Sequence, residues 1–166
     1  MSLSHPPLPW QALLQQQLKP FLDIPEWGIG GSCLLRQLGL VTTHRDIDIV
    51  CSAVAFQQLQ DRCSALGWEP LVIPSHPQLQ SDHFARWRLA DGSVIEWMAG
   101  IKVVRDGIER RWCFSPHQLT VEQGLPWMRA ADWLTLYQLF DRPTRVELIA
   151  SYLDAVKGHS GPTANS

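Results

Sequence analysis

Trp27 to Cys51 reads WGIGGSCLLRQLGLVTTHRDIDIVC, and this stretch decides the fold. Trp27 to Ile29 reads as a short strand, Gly30-Gly31-Ser32 turns it, and Cys33, Leu34, Leu35 and Leu38 continue as an apolar helical segment. A strand entering a helix through two glycines leaves backbone N–H groups unpaired at the helix start, where phosphate oxygens are favoured. Glycine suits such a turn because a Cβ would hold the ligand away. Further on, Asp46 and Asp48 stand two residues apart in a predicted strand. Both carboxylates then share one face, about 6.6 Å apart at Cα and near enough to share a cation. Ile47 and Ile49 take the other face, toward the core. In a purely structural alternative Gly30-Gly31 is a plain turn capped by Ser32, Asp46 caps a second turn and Asp48 is solvated. The apolar Ile47, Ile49 and Val50 make a wholly exposed strand a poor fit.

Outward from that stretch, Trp10 to Leu18 has helical apolar spacing that Pro20 stops, behind a proline-rich arm over residues 1 to 9. Ala53 to Leu66 is a second amphipathic helix, ended by Gly67. Trp68 to Ile73 reads as a strand and Pro74 to Asp82 as a polar surface loop. His83 to Leu89 and Ser93 to Met98 flank Ala90-Asp91-Gly92, a hairpin signal, and a second strand pair is expected around Asp106-Gly107. Two helices, Pro126 to Phe140 and Thr144 to Val156, are separated by Pro143. The chain accordingly divides into a domain over residues 1–125, C-terminal helices packed on it over 126–157, and a disordered tail over 158–166.

Glu96 lies mid-strand in Val94-Ile95-Glu96-Trp97-Met98, where an unpaired charge would be costly. A metal or catalytic role would account for it, and so would an ion pair with Arg86 or Arg88 across the hairpin. Two-metal phosphoryl transfer uses a few carboxylates bridging cations about 3.5 to 4 Å apart. Asp46, Asp48 and Glu96 are the candidate catalytic and metal-binding set. His44 and Arg45, just before the Asp pair, are candidates to touch phosphate, with a polar loop as the alternative. Arg86, Arg88 and Lys102 would line an anion groove or simply form a solvated face. Trp87 and Trp97 would stack on a base or acceptor, or belong to the core.

The ordered pattern of apolar strand, Gly-Gly-Ser, helix, Asp-Ile-Asp and a later strand carboxylate resembles the nucleotidyltransferase superfamily that includes DNA polymerase beta. GGSCLLRQLGLVTTHRDIDIV is most similar to the small bacterial antibiotic-type nucleotidyltransferases. It also resembles the head of tRNA CCA-adding and poly(A) polymerases, without a counterpart of their later motifs. The resemblance covers residues 25 to 100 well and the tail loosely. It implies an α/β (α+β) nucleotidyltransferase fold, a mixed central sheet flanked by helices with a small C-terminal helical part. The implied activity is transfer of a nucleoside monophosphate from a Mg2+- or Mn2+-bound NTP, ATP first among them, to a hydroxyl of a small molecule, RNA end or protein. Within a nucleotide-binding Gly30-Gly31-Ser32 turn, Gly31 and Ser32 would hold the β- and γ-phosphates, Asp46 and Asp48 the metal ions, and Glu96 the acceptor hydroxyl, as metal ligand or base. Glu in place of the commoner Asp adds a methylene and moves the carboxylate by about 1 Å, enough to matter for attack geometry. Where many relatives carry a lysine or an Arg-x-Lys-Asp-like run, this chain has Leu139-Phe140-Asp141-Arg142-Pro143-Thr144, which counts against a triphosphate contact from the tail.

Composition narrows the function classes. A net charge of -2 and a pI near 6.3 argue against a protein whose main task is to neutralise a long nucleic-acid backbone. Cys33, Cys51, Cys63 and Cys113 have no CxxC spacing and sit in apolar segments, so buried free thiols in a reducing cytoplasm are expected. MSLSHPPLPW has neither a basic nor an apolar leader pattern, and no apolar run reaches a membrane span, so export and insertion are not expected. At 166 residues the chain offers little acceptor surface, and a homodimer or partner chain would complete the site. The competing class is a nucleotidyltransferase-like module that binds nucleotide or a partner without turnover, such as one half of a toxin–antitoxin pair. A metal-dependent phosphohydrolase would need His and Asp clusters that the sequence lacks.

Overall fold

The computed structural model describes residues 5–76 and 78–159, the side chain of His159 excepted; the first residues of the arm and the end of the tail fall outside them. Helix α1 (Pro9–Leu18) starts at a proline, whose fixed φ suits the first helical position, and continues into a 3-10 turn at Lys19–Phe21. Strand β1 (Trp27–Gly30) runs directly into α2 (Gly31–Gln37), and β2 (Ile47–Cys51) comes next. Ser52 caps α3 (Ala53–Ala65) by accepting from the Ala55 N–H at 3.1 Å, and Gly67, at φ 75°, ends the turn beyond it. Strands β3 (Glu69–Pro70), β4 (His83–Arg88), β5 (Val94–Ala99), β6 (Ile101–Arg105), β7 (Ile108–Trp112), β8 (Leu119–Glu122) and β9 (Leu125–Met128) precede helices α4 (Ala130–Leu139) and α5 (Pro143–His159).

Seven strands form one mixed sheet in the order β3-β4-β5-β2-β1-β9-β8, and β6–β7 is a separate hairpin. The centre is built by β2, antiparallel to β1 and parallel to β5. Period-two alternation sends Ile47, Ile49, Ile95 and Trp97 into the core, each 1% exposed or less. On that side Phe21 meets Trp97 edge-on at 5.1 Å, and Trp27 meets it at 6.3 Å. Leu14 and Leu18 of α1, and Ala55, Leu59 and Cys63 of α3, are four residues apart and buried in the same core. The other face of β2 and β5 carries Asp48 and Glu96.

Three elements differ from the sequence expectation. The predicted helix from Pro126 is strand β9 over Leu125–Met128, and α4 begins only at Ala130. Gln123 and Gly124, both at positive φ (52° and 74°), make the two-residue turn from β8 to β9. β9 then adds parallel to β1 through Ile29 and Trp127, a long-range pairing that local helical spacing cannot reveal. The strand expected over Trp68 to Ile73 shrinks to Glu69–Pro70, since Pro70 and Pro74 lack the N–H that a longer ladder would need. Part of the expected polar loop instead pairs with β6: Gln80 donates to the Lys102 carbonyl, and Val104 to that of Gln78. Cys33, Cys51 and Cys63 are buried free thiols, whereas Cys113 is exposed. Burial pushes the Cys51 and Cys63 thiols up to about 12. Among the described residues, no helix is long and apolar enough to cross a membrane.

Candidate active site

The site begins with the β2–β5 register. Asp48 is paired with Glu96 across these parallel strands, so the pleat sets both carboxylates on one face, next to each other. Burial, then the charge of Glu96 and a hydrogen bond shared with it, then the charge of Asp46, hold the Asp48 carboxyl well above the usual range; Arg142 opposes the shift. Two neighbouring carboxylates that resist joint ionisation form a place for a proton or a cation.

Gly30 and Gly31 close on the same face. Gly30 is the β1 partner of Asp48, and a Cβ there would run into the Trp133 indole of α4. Gly31 opens α2 at φ 60°, in the left-handed region, and a Cβ would strike the Asp48 carboxylate. Both glycines are therefore required by the chain's own packing. Gly31 and the partly exposed Ser32 face a cavity of about 300 Å³ with Asp48 and Glu96.

Asp46 lies one residue before β2 and, like His44 and Arg45, does not line that cavity. Its Oδ2 is 3.2 Å from Nη2 of Arg86, while Nε of the same guanidinium is 3.0 Å from Oε1 of Glu96. Of the two cross-hairpin partners expected for Glu96, Arg86 is the one that pairs with it; Arg88 is turned to Glu69 at 3.3 Å. Among the described residues, no group of three or more His, Cys, Asp and Glu side chains is arranged to hold a metal ion. The Asp48–Glu96 pair nevertheless fits one: Mg2+ is commonly held by one or two carboxylates, with substrate phosphates and water supplying the rest.

The cavity's other walls come from residues that local sequence patterns did not single out. Trp133 and Tyr137 of α4, edge-to-face at 5.9 Å, line it together with Phe84 and Val103. Arg142 and Arg145, at the start of α5, and Arg105 of β6 supply positive charge. The tail thus does reach the site, through arginines placed by the turn in which the Arg142 N–H donates to the Tyr137 carbonyl at 3.0 Å. An aromatic at helical spacing and an arginine after a helix end carry no local mark of function, and only the docking of α4 and α5 brings them here.

The remaining candidates lie elsewhere. His44 is edge-on to Trp10 and 3.2 Å from the Arg36 guanidinium; burial first, then Arg36, lower its pKa. Arg45 is exposed. Trp97 is fully buried on the core face, and the Trp87 indole donates to Gln60 on α3 at 2.6 Å, so neither faces the cavity. Lys102 pairs with Glu109 at 3.5 Å.

No protein-family model matches the chain, and no curated protein matches its sequence significantly. Solved structures do resemble it. A Thermotoga maritima protein, itself assigned only provisionally as a nucleotidyltransferase, superposes with a TM-score of 0.65 at 17% identity, over 88% of this chain and 93% of the other. The structure of ANT(2'')-Ia in complex with adenylyl-2''-tobramycin gives 0.54 at 14% identity, over 88% and 90%. A solution structure of the same antibiotic-resistance factor gives 0.51 at 17% identity, over 89% and 84%. With its mixed sheet and this likeness, the chain has the nucleotidyltransferase fold.

Proposed function

We propose that the protein is a divalent-cation-dependent nucleotidyltransferase, moving a nucleoside monophosphate from an NTP to an acceptor hydroxyl with release of pyrophosphate. The observation that carries this reading is the in-register Asp48–Glu96 pair beside Gly31 and Ser32, in one cavity with Arg142 and Arg145. Asp48 and Glu96 hold the cation, Mg2+ or Mn2+, with Asp46 close by. When bound, that cation neutralises triphosphate charge and steadies the leaving group. The first N–H groups of α2, the Ser32 hydroxyl, Arg142 just before α5 and Arg145 within it grip the triphosphate. Glu96 accepts the proton of the acceptor hydroxyl, whose oxygen forms a bond to the α-phosphorus. The bond from that phosphorus to the bridging oxygen breaks, and pyrophosphate leaves with the electron pair.

The acceptor class can be argued from the remaining wall. Apart from Asp48 and Glu96, the described residues lining the cavity include no carboxylate, while they include three arginines and several aromatic rings. A polycation such as the tobramycin portion of the ANT(2'')-Ia ligand has no counter-charge here. An uncharged or anionic hydroxyl compound with a flat apolar part suits the wall better. A second copy of the chain or a partner completing the acceptor side is part of this proposal. An active monomer by light scattering would refute that part.

Calorimetric titration of ATP, CTP, GTP and UTP into wild type and Asp48→Asn, with and without Mg2+, tests the nucleotide site, and pyrophosphate release tests turnover. Mg2+-dependent binding lost in the variant is the expected result; no binding of any NTP would refute it. One observation favours a second reading, a nucleotide-binding module without turnover: Arg86 already engages both Asp46 and Glu96. Binding without pyrophosphate release for any acceptor would select it.

A further inference from the structure

Arg86 stands on β4 directly opposite Glu96, in the antiparallel β4–β5 pairing. β5 separates it from β2, yet its side chain reaches over Glu96 to Asp46, just ahead of β2. Nε faces Glu96 at 3.0 Å and Nη2 faces Asp46 at 3.2 Å, with all three side chains only 21–33% exposed. Asp48 forms no ion pair with it. Of the three carboxylates, Asp46 and Glu96 therefore share one guanidinium, while Asp48 and Glu96 line the cavity.

A guanidinium is a fixed cation. It keeps its proton at any working pH, and its planar fork can engage two carboxylates at once. Being tethered, it competes for Asp46 and Glu96 at a high effective concentration, without the dehydration cost that a small divalent ion carries. Sites that run on two metal ions need carboxylates free to bridge cations about 3.5–4 Å apart. Here two of the three carboxylates, Asp46 and Glu96, already face a cation of the chain's own.

We propose that Arg86 is a built-in counter-cation that takes the place of a second divalent ion, so that the protein holds a single ion at Asp48 and Glu96. The proposal rests on the nucleotidyl-transfer reading for the identity of the site, but its test uses the metal alone. Asp46 then serves to hold Arg86 in place, and the guanidinium bears on the charge that a second metal would otherwise meet.

Mn2+ alone, titrated into the full chain and followed by electron paramagnetic resonance, counts the ions. One Mn2+ per wild-type chain and two per Arg86→Gln chain are expected. Two ions in wild type, none in wild type, or one in both proteins would overturn the proposal. Should Arg86→Gln not fold, Arg86→Lys replaces it: an ammonium contacts only one of the two carboxylates, so a second, weaker Mn2+ is expected, and its absence would overturn the idea. NTP titration is separate, so a failure to bind nucleotide with the Mn2+ counts as expected would refute the functional reading and leave this inference standing.

Discussion

Asp48 and Glu96 face one another across two parallel strands, in register, on a sheet whose opposite face is the hydrophobic core. Placing two like charges together on a partly buried surface costs stability unless a proton or cation joins them.

That cost sets a pH dependence. The folded chain keeps the Asp48 proton to a higher pH than the unfolded chain does. Between the usual carboxylate value and the raised native one, the folded state binds more protons, so stability falls as pH rises. Asp48→Asn, uncharged throughout, should melt above wild type at neutral pH and coincide with it in acid below the usual carboxylate range. Adding Mn2+ should narrow the neutral-pH gap by stabilising wild type alone. Thermal melts across pH check both; a variant less stable than wild type at neutral pH would contradict the assignment.

Gly31→Ala forces a left-handed backbone on a residue whose Cβ meets the Asp48 carboxylate. A loss of about 1–3 kcal/mol is expected from the backbone alone. Gly30→Ala meets the rigid Trp133 ring and should cost at least as much. Urea denaturation measures each; a neutral effect at Gly30 would mean that α4 does not pack over the turn, and one at Gly31 that Asp48 does not close on it.

Arg142→Ala and Arg145→Ala should each weaken NTP binding roughly tenfold, the loss of a charge-assisted hydrogen bond worth about 1.5 kcal/mol or more. Neither forms a salt bridge among the described residues, so the denaturation midpoint of Arg145→Ala should hold, while Arg142→Ala, which removes the charge that opposes the Asp48 shift, should lower it slightly at neutral pH. Arg110→Ala, on the exposed β7, is the control and should leave affinity unchanged. Calorimetry reads all three.

Tobramycin should not accept a nucleotide from this protein, because beyond Asp48 and Glu96, which the cation occupies, the described cavity wall offers a polycation no carboxylate. Pyrophosphate release from MgATP should stay at the level seen without acceptor when tobramycin is added. A clear rise would overturn the proposed acceptor class.

Local sequence was sufficient wherever one face of an element had to be apolar or one backbone position had to be special. The strand, glycine turn and helix from Trp27 onward could be read residue by residue. So could the Ile47–Ile49 core face and α3, with its buried residues four apart. The hairpin turns at Gly92 and at Asp106-Gly107, all at positive φ, likewise announced themselves. The carboxylates Asp48 and Glu96 were legible as charges at odds with apolar strands.

Tertiary structure decided the rest, for the reason that periodicity records which face must be covered but not what covers it. β9 is a strand because it pairs with β8 through the Gln123-Gly124 turn and then adds to the edge of β1. Trp133 gave Gly30 its purpose, and Arg86 rather than a third ligand settled beside Asp46 and Glu96. The docking of α4 and α5 brought Arg142 and Arg145 to the cavity from far downstream of Glu96, the last carboxylate expected there. The sequence by itself determined the sheet face on which charge would gather; only long-range packing determined the cations that answer it.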